Sequence, residues 1–321
     1  MKLFLGVDGG QSGTVAAIGD ETGRVWGEGE AGPSNHAAGA EGRAKLERAV
    51  RECVGQAAAQ AGIDAASLEF ESACFGMSGG PEGKHAILAG LIRAARLRVT
   101  TDAAVALAGA TASGLGAIVI AGTGSMALGR NAEGRNARAG GWGYIFGDEG
   151  SAFVIVRQAA RAALRMEEGW GPATSLRATL LEATGSVDSN QMLHRFYTPE
   201  WERSRVAALA PLVDRAAAEG DAAAVHVLNQ AALELAQLAA AVRGQLWKPG
   251  EVVEMAYSGG VFESRMLLER FRILVEMEEG NKLAPPRHAP HLGALLEAYR
   301  AAGMRVDLRA KAQRAQGTGN A

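Results

Sequence analysis

Five apolar or small residues, LFLGV at 3–7, open the chain and predict a buried strand. A glycine turn, DGGQSG, follows, then TVAAIG, the hairpin turn DETGR and a third strand over VWGEGEA. From 41 to 61 the period changes: Leu46, Val50, Cys53 and Val54 recur three and four residues apart, which marks one buried helical face. The pattern next predicts a strand around 72–77 (SACFGM), a helix around 84–96, a strand over 97–101 (LRVTT) and a helix from about 103 to 112. A three-strand meander followed by strand–helix alternation predicts a mixed α/β sheet covered by helices.

A second unit starts at LGAIVIAGTGS, and its opening repeats the first. SGTVAAIGDETGR (12–24) set against TGSMALGRNAEGR (123–135) gives identities at Gly13/Gly124, Ala16/Ala127, Gly23/Gly134 and Arg24/Arg135. Two glycine-turn hairpins can look alike by chance, but each copy follows a buried strand, so the match predicts an internal duplication. Helices are expected over 151–166, 173–184, 203–219 and 221–247, then the strand VVEMAYSGGV, a helix, the linker KLAPPRHAPH and a last helix, LGALLEAYRAAG. Prolines 285, 286 and 290 mark a boundary where the chain crosses back. The expected domains are 1–115 plus 286–321, and 116–285.

Composition narrows the class. The chain has 321 residues, 48% of them hydrophobic, and 43 glycines that suggest close helix packing. A net charge of −2 gives no electrostatic case for nucleic acid or an anionic membrane. The basic tail residues Arg305, Arg309, Lys311 and Arg314 read as a solvated end. Cys53 and Cys74 form no disulfide framework and no CxxC pair, and the six histidines form no metal cluster. The N-terminal apolar run is too short for a signal peptide and is interrupted by Asp8, and no stretch reaches the ~20 apolar residues of a spanning helix. A cytoplasmic protein is expected.

The chemistry-bearing motifs lie in glycine turns. In DGGQSGT, Asp8 ends a strand and could hold Mg²⁺, while Gly9, Gly10 and the hydroxyls of Ser12 and Thr14 could cradle a phosphate; a plain hairpin turn is the alternative. AGTGS, with Gly122, Thr123 and Gly124, is the same device repeated. SGGV places Gly259 and Gly260 at a third strand end, either to admit a flat base or for packing. SGGPEGKH (78–85) fails the P-loop pattern, because Ser78 and His85 stand where Gly and Ser/Thr are required. In TTDAA, Asp102 is either a helix N-cap or a general base. GGWGYIFGDEGS joins Trp142, an apolar face for a sugar ring, to Gly141, Gly143 and the pair Asp148–Glu149, whose carboxylates suit vicinal hydroxyls. Asn35 in GPSNHAAG offers an amide on a loop.

Taken in order, GVDGGQSGT, PSNH, GMSGG, TTDAA, AGTGS, GGWGYIFGDEGSAF and SGGV resemble the N-acetylglucosamine kinase family of the actin-like ATPase superfamily, from residue 4 to about residue 300. The resemblance implies two ribonuclease-H-like domains with sugar and ATP in a cleft between them, and a homodimer. It implies that Asp102 deprotonates the sugar 6-hydroxyl, and that Asn35, Ser125, Met126, Gly141, Trp142, Gly143 and Asp148 bind the sugar. Ser12 and Thr123 would meet ATP phosphates, with Asp8 near Mg²⁺. The sequence departs from the family at Gln11, Ser12 and Gly13, where the first loop commonly reads Gly-Thr-Lys and so carries a cation missing here. Met126 stands where animal members carry Asn. The expected activity is ATP-dependent phosphorylation of N-acetylglucosamine, with glucosamine or N-acetylmuramic acid as alternative acceptors. A non-catalytic sensor is the distant rival. The dehydratase-activating ATPases of the superfamily would need iron–sulfur cysteines, for which Cys53 and Cys74 are badly placed.

Overall fold

The N-terminal apolar run becomes β1 (Leu3–Gly9), and its nearly continuous burial explains why it lies in the middle of a sheet. The structure is a computed structural model and describes residues 1–10, 13–34 and 39–309. β1 pairs antiparallel with β2 (Thr14–Asp20), and β2 with β3 (Val25–Ala31). On its other side β1 runs parallel to β4 (Ser72–Met77), and β4 to β5 (Leu97–Thr101). Helix α1 (Gly39–Ala61) turns Leu46, Val50, Cys53 and Val54 into a core with Leu5, Val7, Ala16 and Ile18. Two shorter helices follow β4 and β5: α2 (Lys84–Leu91) and α3 (Asp102–Ala110). The helix expected to reach residue 96 stops at Leu91. Ile92 is extended, and Phe70 exchanges backbone hydrogen bonds with Arg93 and Ala95, so a bridge to the strand side replaces the last helical turn.

The second sheet contains β6 (Gly116–Ala121), β7 (Ser125–Arg130), β8 (Asn136–Gly140), β9 (Val253–Ser258) and β10 (Asn281–Ala284). Its order, β8-β7-β6-β9-β10, and its strand senses repeat those of β3-β2-β1-β4-β5. The duplicated hairpins also share their turn chemistry. Asp20 N donates to Arg24 O and Asn131 N to Arg135 O, each at 3.1 Å, while Gly23 and Gly134 donate back to Asp20 O and Asn131 O. The side-chain oxygens of Asp20 and Asn131 then accept from the backbone of Arg24 and Arg135.

Between β8 and β9 run α4 (Gly143–Phe146), α5 (Ala152–Glu167), α6 (Leu176–Thr184), α7 (Ser189–Phe196), α8 (Arg203–Ala207), α9 (Ala210–Ala218) and the long α10 (Ala222–Leu246), with α11 (Arg265–Glu276) after β9. The single helix expected over 203–219 is broken into α8 and α9, because Pro211 near the start of α9 has no N–H to continue the ladder. β10 occupies the first half of the expected linker; four residues ended by two prolines carry too little pattern to read as a strand. α12 (Pro290–Ala301) then returns onto the first sheet. A Cβ on Gly6 would fall 2.1 Å from Leu295 N, so the absent side chain is what lets α12 lie on β1. Phe4 and Tyr299 pack as a tilted ring pair with centroids 4.4 Å apart, and the Tyr299 hydroxyl donates to Asp20 O at 2.7 Å.

The chain thus forms two compact units: Met1–Gly114 together with the stretch from Arg287 onward, and Leu115–Pro286. Each has its own core, the second built mainly from α5, α6, α9, α10, α11 and the sheet. Among the described residues no helix is long and apolar enough to cross a membrane.

Candidate functional site

In the first unit, parallel strands bring the chemistry together. The register sets Gly9 beside Met77 and Met77 beside Thr101, so whatever follows β1, β4 and β5 leaves one sheet edge. That edge carries Asp8–Gly10, Ser78 and Asp102. Gly10 N closes its turn on Gly13 O at 2.8 Å, Ser78 N donates to Gly9 O at 2.8 Å, and Ser34 N donates to Gly10 O at 3.3 Å. Burial pushes the Asp8 carboxyl up from 3.8 to about 7, and the charge of Asp102 adds to the rise. Asp8 Oδ1 is buried with no hydrogen-bond partner among the described residues, as is Ser34 Oγ. An orphaned carboxylate oxygen at a strand end fits a hard cation. Helix α3 is capped by Thr101, whose Oγ1 accepts from Ala104 N at 3.1 Å; Asp102, half-buried, accepts among the described residues only from its neighbour Ala103 N at 2.8 Å. The capping role therefore falls to the threonine.

In the second unit, β6 and β9 run parallel with Ile120 opposite Ser258, so AGTGS and SGGV also share an edge. A Cβ on Gly259 would lie 2.3 Å from Ala121 O, and its φ is +106°, so glycine is required for these two loops to touch. Nothing lies within 4 Å of where side chains on Gly122 or Gly260 would point, which leaves room beside both loops. Ser125 is the hinge of the remaining cluster. Its backbone N donates to Asp148 Oδ1 at 3.3 Å, its hydroxyl donates to Glu149 O at 2.5 Å, and its carbonyl accepts from Gly141 N at 3.0 Å. Met126 pairs with Gly140, and Gly147 packs on Trp142, so Ser125, Met126, Gly141, Trp142 and Asp148 are neighbours. Gly143, with φ +78°, opens the short α4. Trp142 is 66% exposed, with the Arg138 guanidinium over one face at 4.5 Å.

Asp148 has φ +62°, the one positive value outside glycine among the described residues, a conformation costing on the order of 1 kcal/mol or more. The loop holds it there: Ser151 N donates to Asp148 O, Ser151 Oγ caps α5 through Val154 N, and Glu234 accepts Gly150 N at 2.8 Å. Arg203 Nη2 lies 3.3 Å from Asp148 Oδ2, an ion-pair contact without hydrogen-bond geometry. Three buried polar atoms here have no hydrogen-bond partner: Asp148 Oδ2, Glu149 Oε2 and Arg203 Nε.

Residues 5–298 match the sequence model of the BadF/BadG/BcrA/BcrD ATPase family. The chain belongs to that family. Membership implies the use of ATP. The chain is 33% identical over 279 residues to an N-acetylmuramic acid/N-acetylglucosamine kinase of Clostridium acetobutylicum, covering 85% of this chain and 90% of that one. It is 30% identical over 285 residues to the N-acetyl-D-glucosamine kinase of Dictyostelium discoideum, covering 83% and 88%. Among solved structures, a Chromobacterium violaceum protein provisionally assigned as an N-acetylglucosamine kinase superposes with a TM-score of 0.74 at 28% identity, over 92% of this chain and 98% of that one. The fold is also that of a ROK-family glucokinase from Streptomyces griseus, with a TM-score of 0.52 at 20% identity, over 93% and 99%. The two-unit α/β fold of the actin-like ATPases, which the family resemblance implied, is the fold found.

Within this family member, each expected residue has a definite place, except Ser12 and Asn35, which lie outside the described residues. Asp8, Gly9, Gly10 and Asp102 gather at one sheet edge; Gly122, Thr123, Gly124, Gly259 and Gly260 gather at the other. Thr14 differs from expectation: it is fully buried and its hydroxyl is committed to Gly32 O at 2.9 Å, inside the sheet, instead of facing a phosphate. Gly259 serves loop packing, which leaves Gly260 as the open member of that pair. Three residues were not read from the sequence: Ser34, Lys84 and Arg203. Lys84 had a signal, in the failed P-loop pattern. Arg203 had none, since only the folded chain carries α8 to the 148–149 loop. Among the described residues, no group of three or more His, Cys, Asp or Glu could hold a metal unaided.

Proposed function

We propose that this chain transfers the γ-phosphoryl group of ATP to the 6-hydroxyl of an amino sugar, N-acetylglucosamine before N-acetylmuramic acid or glucosamine. The observation that carries the reading is the pair of buried carboxylate oxygens that accept no hydrogen bond among the described residues, Glu149 Oε2 and Asp148 Oδ2, the latter held only by the Arg203 ion pair, beside an exposed tryptophan face. Buried acceptors without donors call for a ligand rich in hydroxyls. The names of the Clostridium and Dictyostelium relatives support the same acceptor class, as does a glucosamine kinase of Vibrio cholerae, 32% identical over 180 residues.

In this reading Asp148 and Glu149 accept hydrogen bonds from ring hydroxyls, Trp142 covers an apolar ring face, and Ser125 and Met126 line the same loop. Asn35 adds an amide. Asp102 accepts the proton of the 6-hydroxyl as its oxygen bonds to the γ-phosphorus; the bond to the β-phosphate oxygen breaks and ADP leaves. Thr123, Gly122 and Gly124 would meet the phosphates, a role also proposed for Ser12, and Gly260 would meet the base. Asp8 would hold Mg²⁺, which when bound neutralises phosphate charge. The unpaired cysteines favour a reducing cytoplasmic setting, and a homodimer completes the proposal.

The test is Asp102→Asn. General-base catalysis supplies ~10²–10⁴-fold, so kcat should fall by about that factor while calorimetric sugar binding stays within about threefold. A mutant with near-normal kcat would remove Asp102 from the mechanism.

A further inference from the structure

Lys84 is the first residue of α2, and it is 5% exposed, a rare burial for a lysine. Its ammonium donates to Ser78 O at 2.9 Å and to Gly80 O at 2.8 Å, which closes the SGGPEG turn on itself. That turn is not a remote loop. Ser78 N is bonded to Gly9 O, one residue past Asp8, and Ser78 follows Met77, the strand partner of Thr101, so it leaves the sheet next to Asp102. The ammonium therefore lies in the first unit's cluster, between the ends of β1 and β5, where the strands carrying Asp8 and Asp102 end and the described side chains of the glycine turn contribute no cation. Burial lowers the Lys84 ammonium from its ordinary value, and the charge of Asp102 opposes that fall.

We propose that Lys84 is a positioning residue for phosphoryl transfer: it pins the 78–83 turn to the strand edge and gives Asp102 the positive neighbour that the first glycine loop lacks. This rests on Asp102 being the base. An ammonium held by two backbone carbonyls at this sheet edge puts a fixed positive charge next to the strand end from which Asp102 leaves. The lysine touches neither substrate nor phosphate; it acts through Asp102. Its place in the sequence, inside a pattern that fails as a P-loop, disguises that role, because the chemistry needs the charge and not the motif.

The experiment is steady-state ADP release with N-acetylglucosamine for the wild type, K84M, K84Q, K84R, D102N and the D102N/K84M double variant, with thermal melting of each. The expected result is a ~10–100-fold fall in kcat for K84M and K84Q, KM for sugar and for ATP within about threefold, and recovery of most kcat in K84R, which keeps the charge. In the D102N background, K84M should cost less than about twofold, because the group it serves is already gone. Equal losses with and without Asp102, or no recovery in K84R, would make Lys84 a scaffold residue and overturn the proposal. So would failure of both K84M and K84Q to fold. A D102N variant with wild-type kcat would instead overturn the base assignment itself.

Discussion

Asp8 holds a proton to near neutrality in the folded chain, with its carboxyl at about 7 against 3.8 in an exposed reference. Between those values the folded protein binds a proton the unfolded chain has released, so this group's contribution to stability falls as pH rises from about 4 to 7 and stays at its cost above. Asp8→Asn should therefore raise the melting temperature of the protein free of nucleotide and magnesium, by ~3 °C or more near pH 8 and by less near pH 5. No rise near pH 8 would mean the carboxylate has a partner there. At the other cluster, Asp148→Asn removes a charged acceptor of sugar hydroxyls, worth ~1.5–3 kcal/mol. Its sugar KM should rise at least ~10-fold with ATP KM unchanged, and an equal rise in both would refute a sugar-specific role. The types of these residues were legible in the sequence, but their states were not. Nothing local reveals that Asp8 Oδ1 is orphaned, that Thr14 turns its hydroxyl to Gly32, or that Arg203 crosses to Asp148.

Elements with a redundant pattern, short strands such as β4 and β5 among them, were read well from sequence, and those with little pattern were not. α1 buries seven apolar residues along one face, and the hairpin strands repeat at each unit's start, so their patterns are redundant. α7 has eight residues and β10 four, too few for a period to emerge, and the break between α8 and α9 depends on one proline. Loop and helix are coupled at the 148–151 corner. Ser151 caps α5 while Asp148 is held in a left-handed conformation just ahead of it. Ser151→Ala should cost about 1 kcal/mol of stability, as lost caps do. A change within a few tenths of a kcal/mol in chemical denaturation would show that Ser151 Oγ does not hold the helix end.

On the scale of the whole chain, the same five-strand order appears twice, and in each copy the loops after parallel strands carry the candidate chemistry. This is why a 13-residue repeat was enough to expect the duplication: the fold reuses one way of exposing a strand end. The amino-sugar reading gives a role to the acidic edge of the first unit and to the hydroxyl-accepting loop of the second. The most direct measurement is ADP release from ATP with N-acetylglucosamine, N-acetylmuramic acid, glucosamine and glucose, with the phosphorylated position of each product read by nuclear magnetic resonance. The account predicts turnover with at least one amino sugar, far above glucose, and phosphate on the 6-oxygen. No ADP release with any amino sugar, or a product phosphorylated elsewhere, would contradict it.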